Sequence, residues 1–154
     1  LTKGPNVLLG YYKNDEATQA AIDSNGWFHT GDLATMDSDG NVFIKGRSKN
    51  MLLGSNGQNI YPEEIEDKLN SLTLVSEGLV IQEGEKLVAL VHPDYDEANI
   101  LGLNTGDISE IMEHNRQQLN EEMPVYSKIS VIRIQEEEFE KTPKKSIKRY
   151  LYQK

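Results

Sequence analysis

Residues 29–50 read HTGDLATMDSDGNVFIKGRSKN, and this stretch predicts a two-stranded β-hairpin followed by a change of domain. Two extended segments flank the Asp-Gly pair of DSDGN, a pair that favours a tight hairpin turn. Asp32 lies at one end of the hairpin, and Arg47 and Lys49 lie at the other. One carboxylate and two cations therefore bracket a short element, which fits either a binding cleft or an ordinary solvated turn.

The rest of the chain predicts an α+β fold in two pieces. Residues 1–46 form a β-rich piece in which NVLLGYY, residues 6–12, resembles a strand and Asn14 caps a short helix. Residues 47–154 form a small domain of helices and a two- to three-stranded sheet. Residues 47–50 are expected to act as a hinge between the two pieces.

Helix signals in the second piece are local. YPEEIEDKLNSL predicts a helix with Pro62 at its first position and acidic residues, including Glu66, near the positive end of its dipole. A second helix is expected from about Ile108, with Asp107 and Glu110 as a capping box.

Composition excludes several classes of protein. The 16 Lys and Arg residues against 25 Asp and Glu residues give a formal net charge of −9, so no nucleic-acid partner is expected. There is no cysteine for disulfide or thiolate chemistry, and a cytoplasmic location is expected. The chain begins at Leu1, without Met and in a strand-like segment, which predicts a fragment of a longer protein.

No metal site is expected. Aligning Gly40 of DSDG with the glycine of a calcium-binding EF-hand loop places Thr35 and Gly46 at positions that require acidic residues. The three histidines are scattered, without the spacing of a metal-binding pair. The hairpin turn is the better explanation of DSDG.

Asp32 and the basic tail are the candidate ligand-binding features. An Asp at the edge of a loop can accept hydrogen bonds from both hydroxyls of a ribose; the alternative is an Asp that stabilises the turn. The tail, residues 141–154, reads KTPKKSIKRYLYQK and places four lysines within eight residues. It can present a cation to a phosphate, and the alternative is a disordered basic tail.

Taken together, these stretches resemble the adenylate-forming superfamily of acyl-CoA synthetases, luciferases and peptide-synthetase adenylation domains. GYYKNDEATQAAIDSNGWFHTGDLATMDSDGNVFIKGRSKN is similar to the segment that enters the C-terminal domain of that family, GSNGQNIYPEEIE to its glycine loop and helix, and FEKTPKKSIKRYLY to its lysine motif. The resemblance covers nearly the whole chain and is weakest over residues 94–107. It is closest to the C-terminal lid of a long-chain fatty acid–CoA ligase, so residues 1–46 would be the end of its larger N-terminal domain.

The resemblance implies roles for the charged residues around the hairpin. Asp32 would hold the ribose hydroxyls of ATP, Arg47 would support the same ribose, and Lys49 would be the pivot of the C-terminal domain. ATP, fatty acid and CoA are the implied small-molecule partners, with Mg²⁺ bound to ATP and no protein ligand assigned to it. Peripheral membrane association of the full-length enzyme is left open.

It also implies a path for CoA and a catalytic lysine. Gly54, Gly57 and Gln58 would lie along the path of CoA in the second half-reaction. A tail lysine would neutralise the phosphates in the first half-reaction. The family motif places this lysine at Ser146, which has no charge, so Lys145 is predicted to replace it.

Two other functions remain open. The protein could load acyl or aminoacyl adenylates onto a carrier protein, or it could be a non-catalytic interaction domain of the same fold. The 154-residue chain is expected to be inactive alone.

Overall fold

The computed structural model describes residues 1–54 and 56–153, which divide into two compact units, Leu1–Lys49 and Asn50–Lys154. We call these the first and the second unit. The division follows Lys49, whereas the sequence placed it after Gly46. That the first unit ends a larger nucleotide-binding domain stays a prediction.

The first unit contains α1 (Asp15–Ala21), β1 (Asp32–Met36) and β2 (Val42–Arg47). The predicted helix is confirmed, and the Asn14 side chain accepts a hydrogen bond from the Ala17 N–H at 3.0 Å. The predicted hairpin is also confirmed, because β1 and β2 pair antiparallel. The Asp37 carboxylate accepts the Asn41 N–H at 2.8 Å and so closes the turn.

The strand predicted over residues 6–12 is wrong. The Tyr11 N–H donates to the Thr18 hydroxyl at 2.8 Å, and the Tyr11 carbonyl accepts the Asn14 N–H at 3.1 Å. These backbone groups are therefore bonded to the beginning of α1 rather than to a neighbouring strand.

The second unit contains β3 (Leu52–Leu53), β4 (Asn59–Ile60), α2 (Pro62–Leu69), β5 (Val75–Glu83), β6 (Lys86–Pro93), α3 (Tyr95–Ile100), α4 (Thr105–Glu122) and β7 (Ile129–Ile134). Its main sheet has the order β5-β6-β7, with β5 antiparallel and β7 parallel to β6. The short strands β3 and β4 form a separate pair. The predicted α+β fold with a small sheet is confirmed.

Strands β5 and β6 of the main sheet are buried on both faces, whereas Val131 and Arg133 of β7 are exposed. Alternate residues of a strand point to opposite sides of its sheet. On one side Val80, Ala89 and Val91 belong to a core with residues of α2 and α4, including Leu69 and Met112. On the other side a second cluster consists of Leu79, Ile81, Val88, Leu90 and Phe139. Phe139 belongs to the C-terminal tail, so the tail completes this second core.

Helix α4, predicted to begin at about Ile108, begins at Thr105. Asn104 caps α4: its side chain accepts from the Gly106 and Asp107 N–H groups at 2.7 and 3.2 Å. In return, the Asp107 carboxylate accepts the Asn104 N–H at 2.8 Å. The capping box predicted at Asp107 and Glu110 is therefore wrong, since the reciprocal pair lies one turn earlier.

Helix α3 had no counterpart in the prediction. It begins after Asp94, whose side chain accepts the Glu97 N–H at 2.9 Å. Among residues 1–54 and 56–153, no helix combines the length and the apolar character that crossing a bilayer requires.

Candidate nucleotide-binding and catalytic sites

Asp32 and Arg47 form an ion pair in the first unit. They are cross-strand partners in the β1–β2 ladder, and Nη1 of Arg47 donates to Oδ1 of Asp32 at 2.8 Å. Their side chains are 32% and 49% exposed, respectively, so the pair contributes little to stability. The hairpin register nevertheless fixes the Asp32 carboxylate beside the Arg47 guanidinium. That these two residues hold one ribose, as the family resemblance implies, stays a prediction.

Lys49 ends the first unit. It lies in a single 3-10 turn, Ser48–Asn50, directly after β2. This turn begins with a hydrogen bond from the Ser48 N–H to the Gly31 carbonyl at 2.8 Å. The role of Lys49 as a pivot stays a prediction.

The predicted glycine loop connects β3 to β4 in the second unit. The Gly54 N–H donates to the Gln58 carbonyl, and the Gly57 N–H donates to the Gly54 carbonyl, both at 2.8 Å. Gly57 has a φ of +73°, which favours glycine. A Cβ on Gly54 would lie 3.3 Å from the Gln58 carbonyl oxygen. Ser55 lies outside the described residues. The loop is thus a tight turn that a side chain at either glycine would disturb.

The lysine motif forms a second hairpin, residues 141–147, which we call the basic hairpin. Lys141 and Ile147 pair as an antiparallel bridge, and the Thr142 N–H donates to the Ser146 carbonyl at 2.8 Å. The Lys145 N–H donates to the Thr142 carbonyl at 2.9 Å, and Lys145 has a φ of +61°. This left-handed conformation costs a residue with a side chain about 1–2 kcal/mol. The basic tail is therefore an ordered turn with the strained residue near its tip.

The four lysines of residues 141–148 fall into two groups, those that form ion pairs with described residues and those that do not. Lys141 contacts the Glu77 carboxylate at 2.6 Å, and Lys148, just after the hairpin, contacts that of Glu140 at 3.0 Å. Hydrogen bonds to these carboxylates raise the pKa of both lysines. Lys144 and Lys145 are exposed, and within the described parts of the chain neither forms a salt bridge. Among the lysines of residues 141–148, Lys144 and Lys145 are therefore the two whose ammonium groups can meet an anion.

Ser146 is exposed, and its N–H lies 3.3 Å from the Thr142 hydroxyl oxygen. Its hydroxyl carries no charge, as the sequence indicated. Lys145 precedes it in the same turn, which keeps Lys145 the predicted replacement.

One residue whose role sequence reasoning missed is Glu66. The sequence placed it only among the acidic residues near the positive end of the α2 dipole, and the structure shows that just 9% of it is exposed. Its spacing from Pro62 and Leu69, which are also buried, places it on the apolar face of α2. That spacing was the available signal, and it was outweighed by the acidic run around Glu66.

Comparisons with known proteins show what the chain is similar to. A family model described as "AMP-binding enzyme C-terminal domain" matches residues 49–154. The long-chain-fatty-acid–CoA ligase of Escherichia coli O6:H1 is 39% identical over 108 residues, which cover 70% of this chain and 15% of that protein. The indoleacetate–CoA ligase of Aromatoleum aromaticum is 38% identical over 118 residues, which cover 71% of this chain and 23% of that protein.

A solved structure shares the fold. The adenylation domain of a carboxylate reductase from Mycobacterium chelonae superposes with a TM-score of 0.80 at 20% identity, covering 94% of this chain and 24% of that one. The chain thus spans less than a quarter of the length of each of these relatives.

Proposed function

The chain belongs to the family of AMP-binding enzyme C-terminal domains, within the adenylate-forming superfamily, and from this membership we propose that it is the C-terminal part of an AMP-forming acyl-CoA ligase. The whole enzyme would join a carboxylic acid to ATP, release pyrophosphate, and transfer the acyl group from AMP to the thiol of CoA. The observation that carries the proposal is the family match over residues 49–154, which includes the glycine loop and the basic hairpin.

Each charged site has a part in this reaction. The Asp32 carboxylate accepts hydrogen bonds from the ribose hydroxyls, and Arg47 holds that carboxylate by its 2.8 Å hydrogen bond. The Lys145 ammonium group approaches the phosphates as the acid attacks the α-phosphate, where a cation stabilises the developing negative charge. Mg²⁺ bound with ATP would supply further neutralisation of the phosphate charge, and no residue of this chain is assigned as its ligand. Lys49 is the pivot, and Gly54, Gly57 and Gln58 border the CoA path.

Long-chain fatty acids are the proposed acid substrates. The Escherichia coli relative is named for long-chain fatty acids, but the relative named for indoleacetate is almost equally similar. The proposal therefore relies on the likeness of NGQNIYPEEIEDKL and of the FEKTP…IKRYLY ending to long-chain ligases. A cytoplasmic location and peripheral membrane association of the whole enzyme stay predictions.

The test is AMP release by the full-length enzyme with a panel of acids. With CoA as acceptor we expect palmitate to be used in preference to indoleacetate and 2-succinylbenzoate. A preference for another acid would refute the long-chain assignment, and AMP release that requires a carrier protein in place of CoA would refute the CoA assignment. The 154-residue chain alone should release no AMP.

A matched pair of variants tests the role of Lys145. Lys145→Ala should slow acyl-adenylate formation by about 100-fold or more, while leaving thioester formation from added acyl-adenylate nearly unchanged. Lys144→Ala removes the neighbouring exposed cation and should have a small effect. An intact first half-reaction in Lys145→Ala, or an equal loss in Lys144→Ala, would show that Lys145 is not the catalytic cation.

A further inference from the structure

Glu66 and Arg149 meet in a buried, closed arrangement with the backbone of β5. Oε1 of Glu66 accepts the Val80 N–H at 2.6 Å, and its Oε2 accepts a hydrogen bond from Nη2 of Arg149. Nη1 of Arg149 donates to the Val80 carbonyl at 3.2 Å. The two side chains are only 11% and 13% exposed. The three residues therefore link α2, β5 and the 3-10 turn Arg149–Leu151 near the C-terminal end.

Burial of this pair is costly as well as stabilising. Removal from water raises the pKa of Glu66, an effect that the Arg149 charge and the Val80 N–H oppose. A buried ion pair can often be replaced by apolar side chains without loss of stability. Its directional hydrogen bonds, in contrast, fix the relative position of the three elements that they join. The arrangement is therefore better suited to positioning than to overall stability.

Arg149 adjoins the basic hairpin. It lies two residues after Ile147. Ile147 closes the hairpin by pairing with Lys141, and it packs against the second core cluster. Phe139, before the hairpin, and Tyr152, after it, contact edge to face, with ring centroids 5.1 Å apart. The base of the hairpin is thus attached to the sheet, whereas its tip with Lys145 is exposed.

We propose that Glu66 and Arg149 are positioning residues, which hold the base of the basic hairpin against β5 so that Lys145 is presented in one orientation. The inference rests on the proposed function, in which Lys145 meets the phosphates of ATP. A lysine on a mobile tail would lose conformational freedom in each catalytic cycle. A hairpin that is already fixed lowers that cost before the substrate arrives.

The first test measures the order of the hairpin in the 154-residue chain. Glu66→Gln keeps the size of the side chain but removes its charge, and Arg149→Lys keeps the charge but removes the planar fork. Lys68→Met is the matched control, because it removes a cation of α2 whose exposed partner Glu122 belongs to α4 and not to the hairpin. The readouts are hydrogen exchange of the Lys145 amide and the rate of trypsin cleavage after Lys145.

Both test variants should increase exchange and cleavage by about tenfold or more, the loss expected for a hydrogen bond to a charged group. Amides of β6 and the helical circular dichroism should remain as in the wild type, and Lys68→Met should change neither readout. Wild-type protection of Lys145 in both test variants would overturn the inference. Equal loss of protection throughout β6 would also overturn it, since that result indicates general destabilisation.

The second test uses the full-length enzyme. Glu66→Gln and Arg149→Lys should lower kcat for acyl-adenylate formation and leave the KM for the acid unchanged, because they disturb the presentation of Lys145 and not the acid site. If Lys145→Ala has no effect, the proposed function fails, and the exchange data still decide whether the pair positions the hairpin. If Lys145→Ala is inactive while the two variants loosen the hairpin without lowering kcat, the positioning inference alone is overturned.

Discussion

Replacing Gly78 by alanine should reveal how tightly β5 packs against α2. A Cβ at this position would lie 2.6 Å from Cδ2 of Leu69 and 3.0 Å from Oδ1 of Asn70. Carbon atoms in good contact are about 3.5–4.0 Å apart, so Leu69 would have to move by about 1 Å. Leu69 is fully buried, and overpacking of such a site costs about 1–3 kcal/mol.

The net effect is smaller than the clash alone. Gly78 lies within β5 and has a negative φ, so alanine can adopt its backbone conformation. Alanine also reduces the conformational freedom of the unfolded chain, which stabilises the protein by about 0.4–1 kcal/mol. We therefore expect Gly78→Ala to lower the free energy of unfolding of the second unit by about 1–2 kcal/mol.

Urea unfolding gives this free energy for each unit. Far-ultraviolet circular dichroism reports mainly the second unit, which contains the 18-residue helix α4. Fluorescence of Trp27, the single tryptophan, reports the first unit. Gly78→Ala should move the circular dichroism transition, which reports the second unit, to lower urea. The fluorescence transition, which reports the first unit, should not move. A shift in the fluorescence transition alone would contradict the expected location of the effect.

A double-mutant cycle with Leu69→Ala tests the cause. Leu69→Ala alone should cost about 2–5 kcal/mol, since it leaves a cavity in the core. In that background the Leu69 atoms are gone and only the 3.0 Å contact with Oδ1 of Asn70 remains, so Gly78→Ala should cost much less, which gives a coupling energy of about 1 kcal/mol. If Gly78→Ala costs the same with Leu69 present or absent, the predicted clash is not the cause.

Three further predictions concern α4 and the C-terminal tail. Hydrogen bonding to Arg116 lowers the pKa of Glu113 to about 2. The Glu113 carboxylate therefore stabilises the folded state above its unfolded pKa of about 4.3, and this contribution is lost as the pH falls toward 2. Arg116→Ala should return this pKa toward about 4.3 in an NMR titration, and an unchanged pKa would contradict the assignment. Lys145→Gly should raise the free energy of unfolding by up to about 1 kcal/mol, because glycine relieves the left-handed strain. If Lys145→Gly and Lys144→Gly lower the free energy of unfolding equally, Lys145 is not strained. Phe139→Ala should cost about 3–5 kcal/mol in urea unfolding, whereas a loss below about 1 kcal/mol would show that the tail does not complete the core.

The sequence by itself determined the elements whose signals are local. The Asp-Gly turn, the Asn14 cap and Pro62 at the start of α2 each act within a few residues, and all three have the predicted structure. Motif order likewise indicated the family, because three weak motifs in sequence are more specific than any one of them. The ion pair between Asp32 and Arg47 was not predicted, because it depends on the register of the hairpin.

Only the tertiary structure decided which charges are buried or paired. Glu66 belongs to an acidic run that resembles a solvated helix end, yet its partner Arg149 lies 83 residues later in the chain. The same holds for Lys141, whose carboxylate partner Glu77 lies in β5. Local patterns carry no information about such distant contacts, since these depend on how the tail packs on the sheet. The sequence therefore indicated only a cluster of lysines. The tertiary structure shows that two of them, Lys144 and Lys145, are exposed near the tip of the basic hairpin.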